Sequence, residues 1–380
     1  MKNTSSAQRL TPEPSLHLVK APGAEKLDGY LLGPVVDPLL MGGASIVFFL
    51  GMHFFVEPTA STYRLSWTMF YLSFAVNFPH FMASYVLMYK DHRREIFTSW
   101  KFTWAAVVAP ALLLCALAGL AASAIAEGNS AVLGHLPNLM FFLVGHHYVK
   151  QTYGCVMVSS AKAKFYFSAL ESRVLWLCMH AVWMMSFVSF NSYAGAQAFY
   201  GITYSTLGLG PHWQKVAYAA TAASLFGFLG LMARRYVADG RVMPVSAWTA
   251  VATILVWYIP TLNHAHYFYM IPLFHSLQYL LFSSVFAKNK ARDLAGAFEE
   301  GPPRRRAFLR HLGTFFFLAA LSGALAWSWI PTYLDGKALA PAVLGPTFFM
   351  FSFQIFLNIH HYLMDNVLWR KDNPQIRKYL

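Results

Sequence analysis

The sequence predicts an all-α fold: a polytopic integral-membrane helical bundle of about ten transmembrane helices, with both termini cytoplasmic. Three observations lead there. The 380-residue chain is 57% hydrophobic and only 12% charged, whereas soluble domains carry about 25% charged residues. Apolar runs close to the roughly 20 residues that cross a bilayer recur along almost its whole length. Lys and Arg alternate, loop by loop, between several and almost none.

In chain order, residues 1–36 are mixed, Pro-containing and charged in both signs. They lack the apolar centre and small-residue cleavage site of a secretory signal, and are expected to form a cytoplasmic N-terminal arm. Ten candidate spans follow at 38–57, 66–89, 102–126, 132–157, 174–192, 216–233, 244–261, 263–287, 308–330 and 342–369. They make one transmembrane domain over 37–370, and 371–380 is expected to be a cytoplasmic tail.

Orientation follows from the loops. After the second span come Lys90, Arg93, Arg94 and Lys101; after the fourth, Lys162, Lys164 and Arg173; after the sixth, Arg234, Arg235 and Arg241. The eighth is followed by "AKNKARDLAGAFEEGPPRRRAFLR", and the tenth by Arg370, Lys371, Arg377 and Lys378. The loops between hold at most Arg64, Lys215 or Lys337. Cytoplasmic loops retain basic residues, so the even-numbered spans run from outside to inside. The net charge of +13 then lies mostly on one face, where anionic lipid accounts for it. No nucleic-acid-binding motif accompanies it. The expected partner is therefore the bilayer, with a bacterial inner (plasma) membrane as the setting, and not nucleic acid. Cys115, Cys155 and Cys178 lack metal or redox spacing and read as packing residues.

Ionisable groups inside a bilayer are costly and mark function by default. Eight of the fifteen histidines fall in, or just before, spans of one direction. His80 lies in the second span, His146 and His147 in the fourth, His264, His266 and His275 at the eighth, and His360 and His361 in the tenth. Residues three or four apart share a helix face. Asn77, His80 and Ser84 thus form one stripe, with Tyr85 adjacent. His147 shares a face with Gln151, His275 with Gln278 and Tyr279, and Asn358 and His361 with Asp365. Such neighbours can orient the second ring nitrogen that metal-binding imidazoles need held. His264 and His266 follow Pro260 and Asn263, so irregular backbone is expected there, and whether they share a site with the others stays open. His53 and His180 lack polar company, and His17, His92, His135, His212 and His311 lie in tails, loops or span ends.

Neutral imidazoles with a carboxylate form the donor set of iron, zinc, copper or manganese. The expected ligands are His80, His146, His147, His264, His266, His275, His360, His361 and Asp365, enough for two or three ions. Tyr279, Tyr85 and Asp365 are the candidate catalytic groups, with Tyr148, Tyr267 and Tyr362 lining the pocket.

"GHHYVKQ" and "NIHHYLMD", set among membrane spans, give the chain a layout that resembles the membrane-bound non-haem iron oxygenases, the group of fatty-acid desaturases, hydroxylases and alkane hydroxylases. The resemblance implies iron held by histidines on membrane helices, O2 as co-substrate, and oxidation of an apolar or amphipathic substrate. It carries over only to the two His-His pairs. Neither pair has the further histidine two or three residues before it that the family's boxes contain, and ten spans exceed the usual four to six. A separate family of multinuclear iron enzymes is the expectation. A metal-ion or proton transporter using the same histidines, a haem carrier and a zinc hydrolase are the competing functions. With no G-x-G-x-x-G after a strand and no cysteine set for an iron–sulfur cluster, electrons are expected from an external, ferredoxin-like donor. Arg304, Arg305, Arg306 and Arg310 of "GPPRRRAFLR" are its expected docking surface.

Overall fold

The structure, a computed structural model, describes residues 29–56, 60–337 and 339–380. Most of the expected arm, with His17, lies outside the described residues. The rest is 81% helical with almost no sheet. Ten long helical segments fall on the ten apolar stretches: α1 (Val36–Phe55), α2 (Ala60–Val86), α3 (Trp100–Glu127), α4 (His135–Lys162), α5 (Ala169–Phe190), α6 (Pro211–Asp239), α7 (Val245–Leu262), α8 (His266–Ala295), α9 (Pro302–Asp335) and α10 (Phe348–Leu368).

Seven of these, α1, α3 and α5 to α9, are long and apolar enough to cross a membrane. The other three, α2, α4 and α10, have 27, 28 and 21 residues and match them in length. They are more polar for a specific reason: they bear His80, the His146–His147 pair and the His360–His361 pair. Among the seven, α8 is the most buried. It packs against α2, α9 and the bent start of α1, while α4 packs against α7 and α10, and α5 against α6.

Two glycines allow helices to approach closely. Gly42 has φ 145°, inside a π-turn at Leu39–Gly43 that bends α1. A Cβ there would lie 1.7 Å from Thr253 Oγ1 on α7. At Gly323 of α9 a Cβ would lie 2.6 Å from the Cβ of Phe78, so only glycine lets α9 reach this part of α2. The π-turns also release carbonyls from the helical ladder. Met41 O and Ala105 O, each in such a turn, accept from Gln278 Nε2 and His360 Nε2 respectively.

Three features differ from a bundle of plain helices. Ala196–Phe199 (β1) and Ile202–Ser205 (β2) pair antiparallel in the loop between α5 and α6. Tyr200 and Gly201, both at positive φ, make the two-residue turn that suits a hairpin. Pro260–Leu262 and Ala265–Met270 are 3₁₀ turns, and regular helix begins only at Ile271, with Pro272 in its first turn. The C-terminal residues do not trail away. Pro374–Tyr379 (α11) folds back onto α8, where Asn289 Nδ2 donates to Tyr379 O and Lys378 pairs with Asp293 at 2.7 Å. Asn373 meets His92 and Leu368 O from the same turn.

Candidate metal centre

Four helices bring four imidazoles into one closed arrangement. His80 comes from α2, His147 from α4, His275 from α8 and His361 from α10. Ring centroids of neighbours lie 4.9 Å (His80–His275), 4.9 Å (His275–His147), 4.9 Å (His147–His361) and 4.6 Å (His361–His80) apart. His80 and His147 face each other across this four-sided figure, nearly parallel at 10° and 6.4 Å apart. Each neighbouring pair is close to perpendicular, at 72° to 88°. Asp365, one turn beyond His361, closes one side. Donor atoms of His80, His147, His361 and Asp365 all lie within 4.8 Å of one another, and all four residues are buried.

The polar neighbours fix which nitrogen is free. Ser276 Oγ donates to Asn77 Oδ1 at 2.7 Å, and His80 Nδ1 lies 3.0 Å from Ser276 Oγ and 3.3 Å from Asn77 Oδ1. The serine proton is committed to the amide oxygen, which can only accept, so His80 Nδ1 must be the donor. Its Nε2 then carries the lone pair, and Nε2 is the buried nitrogen with no hydrogen-bond partner. Asp365 is oriented in the same manner. Its Oδ1 accepts from Ser84 at 2.6 Å and from Tyr279 at 3.2 Å. Tyr279 also meets Ser84 and accepts from Trp369 Nε1 at 2.9 Å. Oδ2 is left facing His361 Nε2 at 3.3 Å and His147 Nε2 at 3.9 Å. Among the described residues no lysine or arginine comes within ion-pair distance of Asp365.

Six ring nitrogens of the cluster are buried without a hydrogen-bond partner: His80 Nε2, His147 Nε2, and both nitrogens of His275 and His361. The 3.3 Å approach of His361 Nε2 to Asp365 is not aligned as a hydrogen bond. Each unmade buried bond costs about 1–3 kcal/mol, so six approach the whole stability of a typical domain, about 5–15 kcal/mol. A neutral imidazole has one lone pair and one N–H, so a group that accepts lone pairs would satisfy one nitrogen of each ring, four of the six. Around the cluster, Tyr148 lies 4.1 Å from His275 and Tyr279 4.4 Å from His80, centroid to centroid. Gln151 Nε2 donates to His275 O at 3.0 Å, and Gln278 Nε2 ties α8 to Met41 O at 2.7 Å.

The other histidines named from the sequence lie elsewhere. His360 donates from Nε2 to Ala105 O at 3.0 Å and accepts the Tyr85 hydroxyl on Nδ1 at 2.8 Å. Both its nitrogens are spent, and Tyr85 is spent with it, so these two clamp α10 to α3 and α2 instead of joining the cluster. His146 turns away from His147 towards Tyr362, whose hydroxyl is 3.2 Å from Nδ1, and towards His180 at 5.1 Å. His264 and His266 face each other at 5.6 Å beside Tyr267, in the 3₁₀ segment before α8 proper. Asn358 donates to Gln354 O within its own helix. Ser276 and Trp369 are the functional neighbours that the sequence did not single out. Ser276 is 196 residues from His80, and no local pattern marks it.

Searches of family models, curated proteins and solved structures find no match to this chain.

Proposed function

We propose that the protein is a membrane-embedded metal-dependent oxidase or oxygenase whose metal is held by His80, His147, His275, His361 and Asp365. One observation carries the proposal: donor atoms of three buried imidazoles, His80, His147 and His361, lie within 4.8 Å of one another and of the Asp365 carboxylate, with the unpartnered ring of His275 packed against two of them. Four imidazoles and one carboxylate are five donors, a number that one ion can take up, and their ligand types suit a first-row transition metal. One ion is proposed for this cluster, where the sequence led to an expectation of two or three. Iron is the proposed ion, with O2 as co-substrate; imidazole and carboxylate donors suit it, and the family resemblance supports it.

A bound ion would supply Lewis-acid and redox chemistry. The chain's own groups do the rest. Ser276 and Asn77 hold the His80 ring, and Ser84 and Tyr279 hold Asp365 so that Oδ2 stays directed inward. Tyr279, bonded to Asp365 and to Trp369, is the group proposed to hand on a proton. The apolar surroundings exclude bulk water.

All ten long helices are proposed to cross a bacterial inner membrane with both termini inside, α2, α4 and α10 tolerating their polar residues because these face the centre or are hydrogen-bonded within the bundle. The substrate is apolar or amphipathic, and an external acidic carrier supplies electrons at the basic cytoplasmic face.

Metal analysis of detergent-purified protein, expressed with ample iron, tests the proposal. The expected result is about one equivalent of iron per chain, no Soret band, and loss of the iron in His147→Ala and His361→Ala. Absence of retained metal in the parent protein would overturn it.

A further inference from the structure

Lys150 lies on α4 one turn beyond the His146–His147 pair, and its side chain is exposed. It is not a helix-end lysine: α4 continues for a further twelve residues to Lys162, about 18 Å at 1.5 Å per residue. Its Nζ donates to Asn366 Oδ1, from the residue that follows Asp365. No carboxylate of the described residues comes within ion-pair distance of it. Asp365 and Arg370 are both within electrostatic reach of the ammonium, but Asp365 is turned to the imidazoles and Arg370 to Asp372 at 2.9 Å. An ammonium carries three donors, and one is used. Charged groups on membrane helices normally find a partner of opposite sign, and this one has none within ion-pair distance among the described residues.

We propose that Lys150 binds the anionic head group, carboxylate or phosphate monoester, of an amphiphile whose apolar tail lies in the bilayer. Residues three and four apart share a helix face, so a head group held at Lys150 sits beside His146 and His147, at the rim of the centre. The assignment of this amphiphile as substrate rests on the proposed function; its binding does not require a metal. A lysine that only clamps α4 to α10 through Asn366 would not distinguish ligands by charge.

Equilibrium binding of radiolabelled hexadecanoate, hexadecyl phosphate and hexadecanol to the detergent-purified full chain makes that distinction. The wild type is expected to bind at least one of the two anions about ten-fold or more tighter than the alcohol, the scale of a charge-assisted hydrogen bond. Lys150→Gln loses that preference and Lys150→Arg keeps it. Equal binding of all three ligands, absence of binding, or a preference that survives in Lys150→Gln overturns the proposal. Should the glutamine variant not fold, carbodiimide coupling of hexadecanoate to the wild type decides the matter. An amide formed between its carboxyl and the Lys150 amine supports the site, and coupling confined to other lysines overturns it. Metal content is measured separately, so an iron-free protein that keeps the anion preference would sink the metalloenzyme reading and leave this one standing.

Discussion

His360 and His361 leave neighbouring positions of α10 about 100° apart around the helix axis, and their surroundings differ accordingly. His360 has a carbonyl on one nitrogen and a tyrosine hydroxyl on the other. His361 has nothing on either, and a carboxylate oxygen 3.3 Å away. The two therefore answer differently to truncation. Asp365→Ala removes a proposed ligand and is expected to lower metal affinity by about a hundred-fold or more, at least the upper range seen for loss of a supporting group, while the helices still assemble. His360→Ala is expected to keep the metal and to lose about 1–3 kcal/mol of stability, because it leaves Ala105 O and Tyr85 unpaired. Metal retention after dialysis against a chelator, together with a thermal melt, checks both. Full metal in Asp365→Ala would make that residue a structural charge only.

At the scale of elements, the π-turns bring helices to the centre in the right register. The bend at Leu39–Gly43 turns Met41 O outward to Gln278, one turn along α8 from His275. Gly42 makes the bend possible through its φ of 145° and its contact with Thr253. Gly42→Ala combines left-handed backbone strain of about 1–3 kcal/mol with an atom placed into Thr253 Oγ1. Its expected outcome is a marked fall in melting temperature and in the yield of monodisperse protein, read by size-exclusion chromatography of heated samples. Wild-type behaviour would show that α1 can meet α7 without the bend.

For the whole molecule, the proposed docking of an acidic electron donor falls on the basic start of α9. Arg305, Arg306 and Arg310 are exposed in the first turns of α9, while Arg304 pairs with Glu300 at 3.0 Å. Basic residues at a helix N-terminus oppose the helix dipole, so they do not serve the stability of α9. Neutralising Arg305, Arg306 and Arg310 is expected to slow turnover with an acidic protein reductant, and to do so less at high salt, since complementary charge mainly raises the rate of encounter. Turnover with a small chemical reductant should be unchanged. Reporter fusions at both termini confirm that the variant inserts in the parental orientation. Equal slowing with both reductants would remove the docking role.

Hydropathy and loop charge are local properties, so the chain alone determined the helical bundle, the position of each long helix and the helices that bear histidine. It also marked His80, His147, His275, His361 and Asp365, together with the stripes that carry Ser84 and Tyr279. It could not separate these from His146, His360, His264 and His266, which show the same residue type in the same kind of stretch. That separation depends on how each helix is rotated about its axis and which helix lies beside it, and packing of the entire bundle sets both. Ser276 reaching His80, Tyr85 spent on His360, the hairpin between α5 and α6 and the return of α11 onto α8 belong to the same class. They are contacts between distant parts of the chain, fixed only when close packing admits one arrangement of the helices.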